Sequence, residues 1–286
     1  MRFALQFCST RRCETLNGLE QITKHCTALP FPSQSTTCFV IFLIKPHMAA
    51  IEEAVAASRQ LAKDVDVLRF AAPVAHVYNP LDYAWRAHKQ YLEMMNPNGA
   101  EVLFLGMNPG PWGMAQTGVP FGHVPTVRNW LGIDARINQP VDMHPKRPIE
   151  GLNCARAEVS GERLWGLFRE RFSTPKKFFK RHFVANYCPL VFMEESGRNR
   201  TPDKLLKAER AVLQAICDAH LTKLLDAVAP RVAVGVGAYA EEAFQRVVAD
   251  RPIEVIRILH PSPASPAANK NWAATVTNQL IEAGVW

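Results

Sequence analysis

The chain has 286 residues, 48% of them hydrophobic, with 33 lysines and arginines against 26 aspartates and glutamates. That length can bury a full core as one large domain or two small ones, and a net charge of +7 with a pI near 9.1 favours an anionic partner, nucleic acid first. No run approaches the roughly 18 apolar residues of a membrane span, and seven cysteines without a CxxC pair fit a reduced compartment better than a secreted disulfide framework.

Residues 1–47 lack periodicity and read as a poorly ordered N-terminal extension to one continuous domain, 48–286, with Met48 an alternative start. Cys8, Cys13, His25, Cys26 and Cys38 match no zinc or iron–sulfur spacing. Cys38–Ile44 is too short and too far from the terminus for a signal peptide. Arg2, Arg11 and Arg12 favour a transit peptide, and Glu14 and Glu20 count against one.

A helix follows Met48, with Ile51, Val55, Leu61 and Val65 interleaved with Glu52, Glu53 and Lys63. Asn79 and Pro80 are the predicted cap and first residue of a second helix, rich in aromatics. Glu101–Gly106 is a continuous apolar strand of the kind buried on both faces of a parallel sheet. Beyond it runs an uncharged loop, Gly106–Gly122, with five glycines and three prolines in seventeen residues. Proline fixes φ and glycine frees it, so this loop suits a wall pressed against a ligand.

Helices are expected from Thr126 and over Leu164–Phe172. The run Lys176–Arg181 mixes lysines with phenylalanines, either as a nucleic-acid contact or as a solvated edge whose aromatics enter the core. His182–Tyr187 is the second strand. Thr201-Pro202-Asp203 is the predicted cap of a long helix reaching Val228. Arg231–Gly235, a helix over Ala240–Ala249, Ile253–Leu259 and a final helix over Asn269–Ala283 complete an alternation of strands and helices. That alternation predicts an α/β fold, a three-layer α/β/α sandwich around a central four-stranded parallel sheet. Ligands of such sheets sit at the carboxyl ends of the strands, where the glycine-rich loop, Asn186 and His260 all fall.

Gly235-Val236-Gly237-Ala238-Tyr239-Ala240 imitates a dinucleotide fingerprint, but too little chain follows it for a nucleotide domain, and helix–sheet packing explains its glycines. There is no G-x-S-x-G, and Asp134, Asp142 and Glu150 form no metal constellation. The remaining groups position rather than titrate. Asn108 can orient a water, Asn186 can present a planar donor–acceptor edge to a nucleobase, Phe121 can stack, and His260 can donate to an oxygen that gains charge.

The stretch Gly106–Gly122 resembles the first motif of the single-strand-selective monofunctional uracil-DNA glycosylases. His260-Pro261-Ser262-Pro263 with Ala267-Ala268-Asn269-Lys270 resembles the second, and Asn186–Leu190 and Ser196–Asn199 also match. The resemblance implies the uracil-DNA glycosylase fold and excision of uracil and 5-modified uracils such as 5-hydroxymethyluracil from single- and double-stranded DNA.

It implies catalytic roles for Asn108 and His260 and substrate binding by Met107, Gly110, Phe121 and Asn186. DNA contacts would come from Pro261, Ser262, Pro263, Ala264 and Lys270. No cofactor and no metal are implied. A monomer with DNA as partner and no membrane is expected, nuclear in a eukaryote and otherwise cytoplasmic. Ala264 departs from the arginine that the family often carries as a duplex wedge, which raises an alternative, a damage- or abasic-site-binding protein with weak turnover.

Overall fold

The computed structural model describes residues 49–286. The readings made for residues 1–47, the cysteine cluster and transit peptide among them, and for Met48, lie outside the described residues. The domain runs α1 (Ala49–Asp66), β1 (His76–Tyr78), α2 (Pro80–Tyr83), α3 (Trp85–Leu92), β2 (Val102–Gly106), α4 (Met114–Thr117) and α5 (Val124–Asn129). It continues through α6 (Val159–Phe172), α7 (Pro175–Phe179), β3 (His182–Asn186), β4 (Val191–Met193), β5 (Asn199–Arg200) and α8 (Lys207–Val228). Last come β6 (Val232–Val236), α9 (Ala238–Val248), β7 (Glu254–Ile258) and α10 (Ala268–Glu282).

The apolar run of β2 makes it a central strand. Val102, Leu103, Phe104 and Leu105 have no exposed surface, and β2 pairs in parallel with β3 on one side and β6 on the other. The strand order is β3-β2-β6-β7. Alternate residues of a strand point to opposite faces. Phe104 meets Phe168 of α6 at 5.0 Å between ring centroids. Leu105 points the other way, in register with Gly235 of β6, where a Cβ would come within 2.5 Å of the Glu241 nitrogen in α9. Helices therefore lie on both faces, as the predicted three-layer sandwich requires, and the Gly235 segment is indeed a helix–sheet contact.

Several expectations are corrected. Asn79 makes no side-chain cap; its amide nitrogen donates instead to the Ala62 carbonyl of α1 at 2.9 Å, and the second helix breaks at Ala84 into α2 and α3. Thr201-Pro202-Asp203 does not start the long helix. A 3-10 turn over Pro202–Lys204 intervenes, its carbonyls taken by Arg200 on Lys204 at 2.7 Å and Arg210 on Asp203 at 3.2 Å, so α8 begins at Lys207. Phe178 and Phe179 are buried, which decides the Lys176–Arg181 run for the core reading.

A second, antiparallel sheet of three very short strands, β1-β4-β5, stands apart from the parallel one. It was not expected, because two or three residues carry no periodicity. Tyr78 of β1 clamps the proline-rich segment beside it, accepting from the His144 N–H at 2.7 Å and donating to the Arg147 carbonyl at 2.8 Å.

Candidate active site

The carboxyl ends of all four parallel strands open onto one pocket of about 430 Å³, a size suited to a small ligand. Met107, Asn108, Gly110, Phe121, Asn186, His260 and Ser262 line it together. The strand pairing continues past the strand ends to fix these residues: the Tyr187 and Cys188 N–H groups donate to Gly106 and Met107 carbonyls at 2.8 and 2.9 Å. On the other side, Gly237 N–H donates to the Ile258 carbonyl at 3.0 Å. Just beyond Asn186, the Tyr187 hydroxyl donates to Asp218 at 2.6 Å, and Arg246 donates to both.

Asn108 uses its amide nitrogen on the carbonyls of Pro109 and Leu190, each at 3.2 Å. What it has left for the pocket is the Oδ1 acceptor, the atom that can hold a water by one of its protons. Asn186 directs its amide nitrogen at the Met114 sulfur at 3.3 Å, a weak acceptor that a better one can replace. A Cβ on Gly106 would lie 2.5 Å from both the Asn186 Oδ1 and the Phe121 ring. Only glycine there lets the amide edge and the aromatic face converge.

Phe121 itself has φ 54°, an uncommon conformation for a bulky residue and one typical of functional sites. Its neighbour Pro120 is held by the Trp165 indole N–H, which donates to the Pro120 carbonyl at 3.0 Å.

His260 has its tautomer set by geometry. The Ser262 N–H donates to its Nδ1 at 3.0 Å, so the neutral ring carries its proton on Nε2 and offers that N–H as a donor. Burial pushes the His260 pKa down, which keeps the ring neutral at physiological pH. Its ring lies 6.3 Å from that of Phe121.

The expected DNA-contact residues divide. Pro263 and Ala264 are exposed on the loop beyond His260, and Lys270 is exposed in the first turn of α10. Pro261 is buried, and its carbonyl accepts from Arg163 of α6 at 2.9 Å, so it braces the loop instead of facing outward. Arg163 also donates to Asn269 at 3.0 Å, and Asn269 in turn to the Pro263 carbonyl at 2.7 Å.

The sequence reasoning missed Glu158, Ser160, Asn199, Thr201 and Tyr239, which line the same pocket. Glu158 is the consequential omission, because the loop in front of it carries no charge. Its carboxyl oxygen lies 3.0 Å from where a Gly110 Cβ would stand. Burial raises its pKa, opposed by the Ser160 N–H and hydroxyl. Only its position at the start of α6 could have signalled it, and any acidic residue at a helix start looks alike in sequence. Tyr239, at the head of α9, has its pKa pushed up to about 12, chiefly by burial.

Comparisons with known proteins give the chain's family and fold. The sequence profile described as the uracil DNA glycosylase superfamily matches residues 93–281. A single-strand selective monofunctional uracil-DNA glycosylase of Rattus norvegicus is 47% identical over 228 residues, 79% of this chain and 82% of that one. The protein of the same description from Mus musculus is equally similar over the same shares. The crystal structure of wild-type SMUG2 from Pedobacter heparinus superposes with a TM-score of 0.59 at 16% identity, covering 81% of this chain and 97% of that one. At that identity it bears on the fold alone.

Proposed function

The chain belongs to the uracil DNA glycosylase superfamily and, within it, to the single-strand selective monofunctional uracil-DNA glycosylases; from that premise we propose that it flips uracil and 5-modified uracils, 5-hydroxymethyluracil included, from single- and double-stranded DNA and hydrolyses the glycosidic bond. The observation that carries this reading is the convergence of Asn108, Phe121, Asn186 and His260 on one pocket. Every group the reaction uses comes from one chain, so a monomer suffices. Among the described residues no helix is long and apolar enough to cross a membrane.

A base inside a duplex is unreachable, so it is extruded, at a cost of about a few kcal/mol that shrinks in a single strand or at a mispair. The flipped base stacks on Phe121. Asn186 exchanges its contact with Met114 for the uracil edge, donating to O4 and accepting from N3–H; cytosine, with a donor at C4 and no N3 proton, leaves both mismatched. The C1′–N1 bond then breaks, and both electrons leave with the base.

The His260 Nε2–H donates to the O2 of the uracil anion, where the charge gathers. A water held on Asn108 Oδ1 adds its oxygen to C1′ and releases a proton that neutralises the departing base. Among the described residues no lysine lines the pocket, which supports a reaction that stops at an abasic site, left for base excision repair.

A uracil-containing oligonucleotide incubated with the protein and then treated with alkali reveals abasic sites as strand breaks. Breaks at the uracil are expected. Binding without any break would replace the enzyme by a product-shielding protein. Asn186→Asp swaps two donors for a carboxylate and is expected to weaken uracil preference; unchanged preference across uracil, 5-hydroxymethyluracil and cytosine would remove Asn186 as the reader.

A further inference from the structure

Trp112 sits in the middle of the loop whose neighbours Asn108, Pro109, Gly110, Gly113 and Met114 line the pocket, yet Trp112 does not line it. Its ring is flanked by two guanidiniums. The Cζ of Arg147 lies 5.2 Å from the ring centroid and that of Arg156 lies 5.3 Å from it. The two arginines come from different parts of the chain, the proline-rich segment after α5 and the approach to α6, and both lie over this ring.

Among the described residues no carboxylate oxygen lies within 4 Å of either guanidinium. Arg147 spends one nitrogen on the Lys146 carbonyl at 2.9 Å, and its buried Nε has no partner among the described residues. Arg156 is exposed. An aromatic face attracts a guanidinium and orients its plane, but leaves the edge N–H donors free. Such a fork matches the two non-bridging oxygens of a phosphodiester, which Lys, a point charge, would bind without the same geometry.

We propose that Trp112, Arg147 and Arg156 form a phosphate clamp for the single DNA strand that carries the target base. The inference rests on the glycosylase reading, because a nucleotide whose base enters the pocket must carry its backbone over the pocket rim. The sheet order β3-β2-β6-β7 puts the loop after β2 on one side of the mouth and the loop from His260 into the head of α10, after the edge strand β7, on the other. Lys270 can reach the strand only from that second side. The clamp supplies the first side, in the same protein whose second side presents Ala264 where a long cation could stand. Grip on the strand would then come from the loop that also shapes the pocket.

The test uses a single-stranded oligonucleotide whose one deoxyuridine carries a 2′-fluorine that blocks cleavage, with affinity measured across a range of salt. Neutralising a phosphate contact on a single strand flattens the slope of log affinity against log salt by about 0.7. Arg156→Gln, at an exposed side chain without a hydrogen bond, is expected to lower affinity several-fold and flatten the slope by that amount. Arg147→Gln with Arg156→Gln should do so by about twice as much.

Arg231→Gln, a control at the opposite end of the sheet, is expected to bind as the wild type does. A wild-type slope and affinity in Arg156→Gln would overturn the clamp while the wild-type protein still excised uracil from an unmodified oligonucleotide. Failure of the wild type to bind or to excise would overturn the glycosylase reading and the clamp together.

Discussion

The two rims of the pocket differ in how firmly the chain holds them. On the β2 side, Met114, Ala115, Gln116 and Thr117 are buried to 2% exposure or less. The Gln116 amide makes four hydrogen bonds there: it donates to the Pro111 and Pro148 carbonyls and accepts from the Glu150 and Gly151 N–H groups. Across the mouth, the loop after β7 leaves Pro263, Ala264, Pro266 and Ala267 exposed and is tied down mainly through Arg163 and Asn269. A site proposed to work by placing a water and stacking a base needs fixed geometry, and Asn108 and Phe121, to which those roles are proposed, both stand on the fixed rim. The lightly held rim carries His260 at its root, pinned by Ser262, and beyond that the exposed residues proposed to reach DNA.

The largest expected effect tests that division at the chemistry. Asn108→Ala on the fixed rim and His260→Ala at the root of the other should each lower the single-turnover rate about 10²- to 10³-fold. Binding of an uncleavable oligonucleotide should change far less. A comparable loss from a tip residue such as Pro263 would erase the distinction between root and reach. Next in size is Gln116→Ala, which strips a partner from three part-buried backbone groups and from the buried Gly151 N–H and is expected to cost about 3 kcal/mol of stability, read from chemical denaturation. A shift under 1 kcal/mol would mean the fixed rim is held elsewhere.

Acid attacks the same rim. His88 of α3 is bonded to the Gly118 carbonyl of the glycine-rich loop at 2.8 Å, and burial lowers its pKa to about 4. An unfolded histidine takes up its proton near pH 6.5. Between those values the unfolded chain binds more protons, so stability rises with pH there and falls as pH drops from about 6.5 toward 4. The loss from His88 alone is about 2 kcal/mol between pH 7.5 and 5, measurable as a falling unfolding midpoint. His182 and His220, also buried with pKa values lowered to about 4 and about 3, act in the same direction. His88→Gln should flatten part of the slope.

Legibility did not follow the line between the rims. The apolar run Val102–Leu105 and the uncharged loop after it were readable because burial on both faces and close backbone packing each leave a local mark in composition. Asn108, Phe121, Asn186 and His260 were readable as strand-end residues, and the resemblance assigned their roles. Glu158 was not, because its place in the pocket depends on α6 arriving beside Gly110, a contact 48 residues away in the chain. Gln116 stood within the quoted motif, but nothing in a single glutamine announces four partners drawn from residues 111–151. Asn79 was misread for the opposite reason: asparagine before proline is a sound local cap signal, and a tertiary bond to Ala62 overrode it.

The smallest expected effect probes the lightly held rim alone. At its tip the backbone is already set, with the Ala264 N–H donating to the Ser262 hydroxyl at 3.2 Å and Asn269 holding the Pro263 carbonyl. The Ala264 side chain is exposed and makes no polar contact, so Ala264→Arg adds a guanidinium without displacing anything. That group can meet a phosphate or enter the gap left by a flipped base, a contact available in a duplex and largely missing in a single strand. Affinity for a duplex abasic site should therefore rise about threefold to tenfold, an added charge-assisted contact of roughly 1 kcal/mol. Multiple-turnover rates on duplex substrate should fall because product leaves more slowly. Single-strand excision should move little. Equal gains on single and double strands would show that the arginine adds only charge, and that the β7 rim plays no part in parting the duplex.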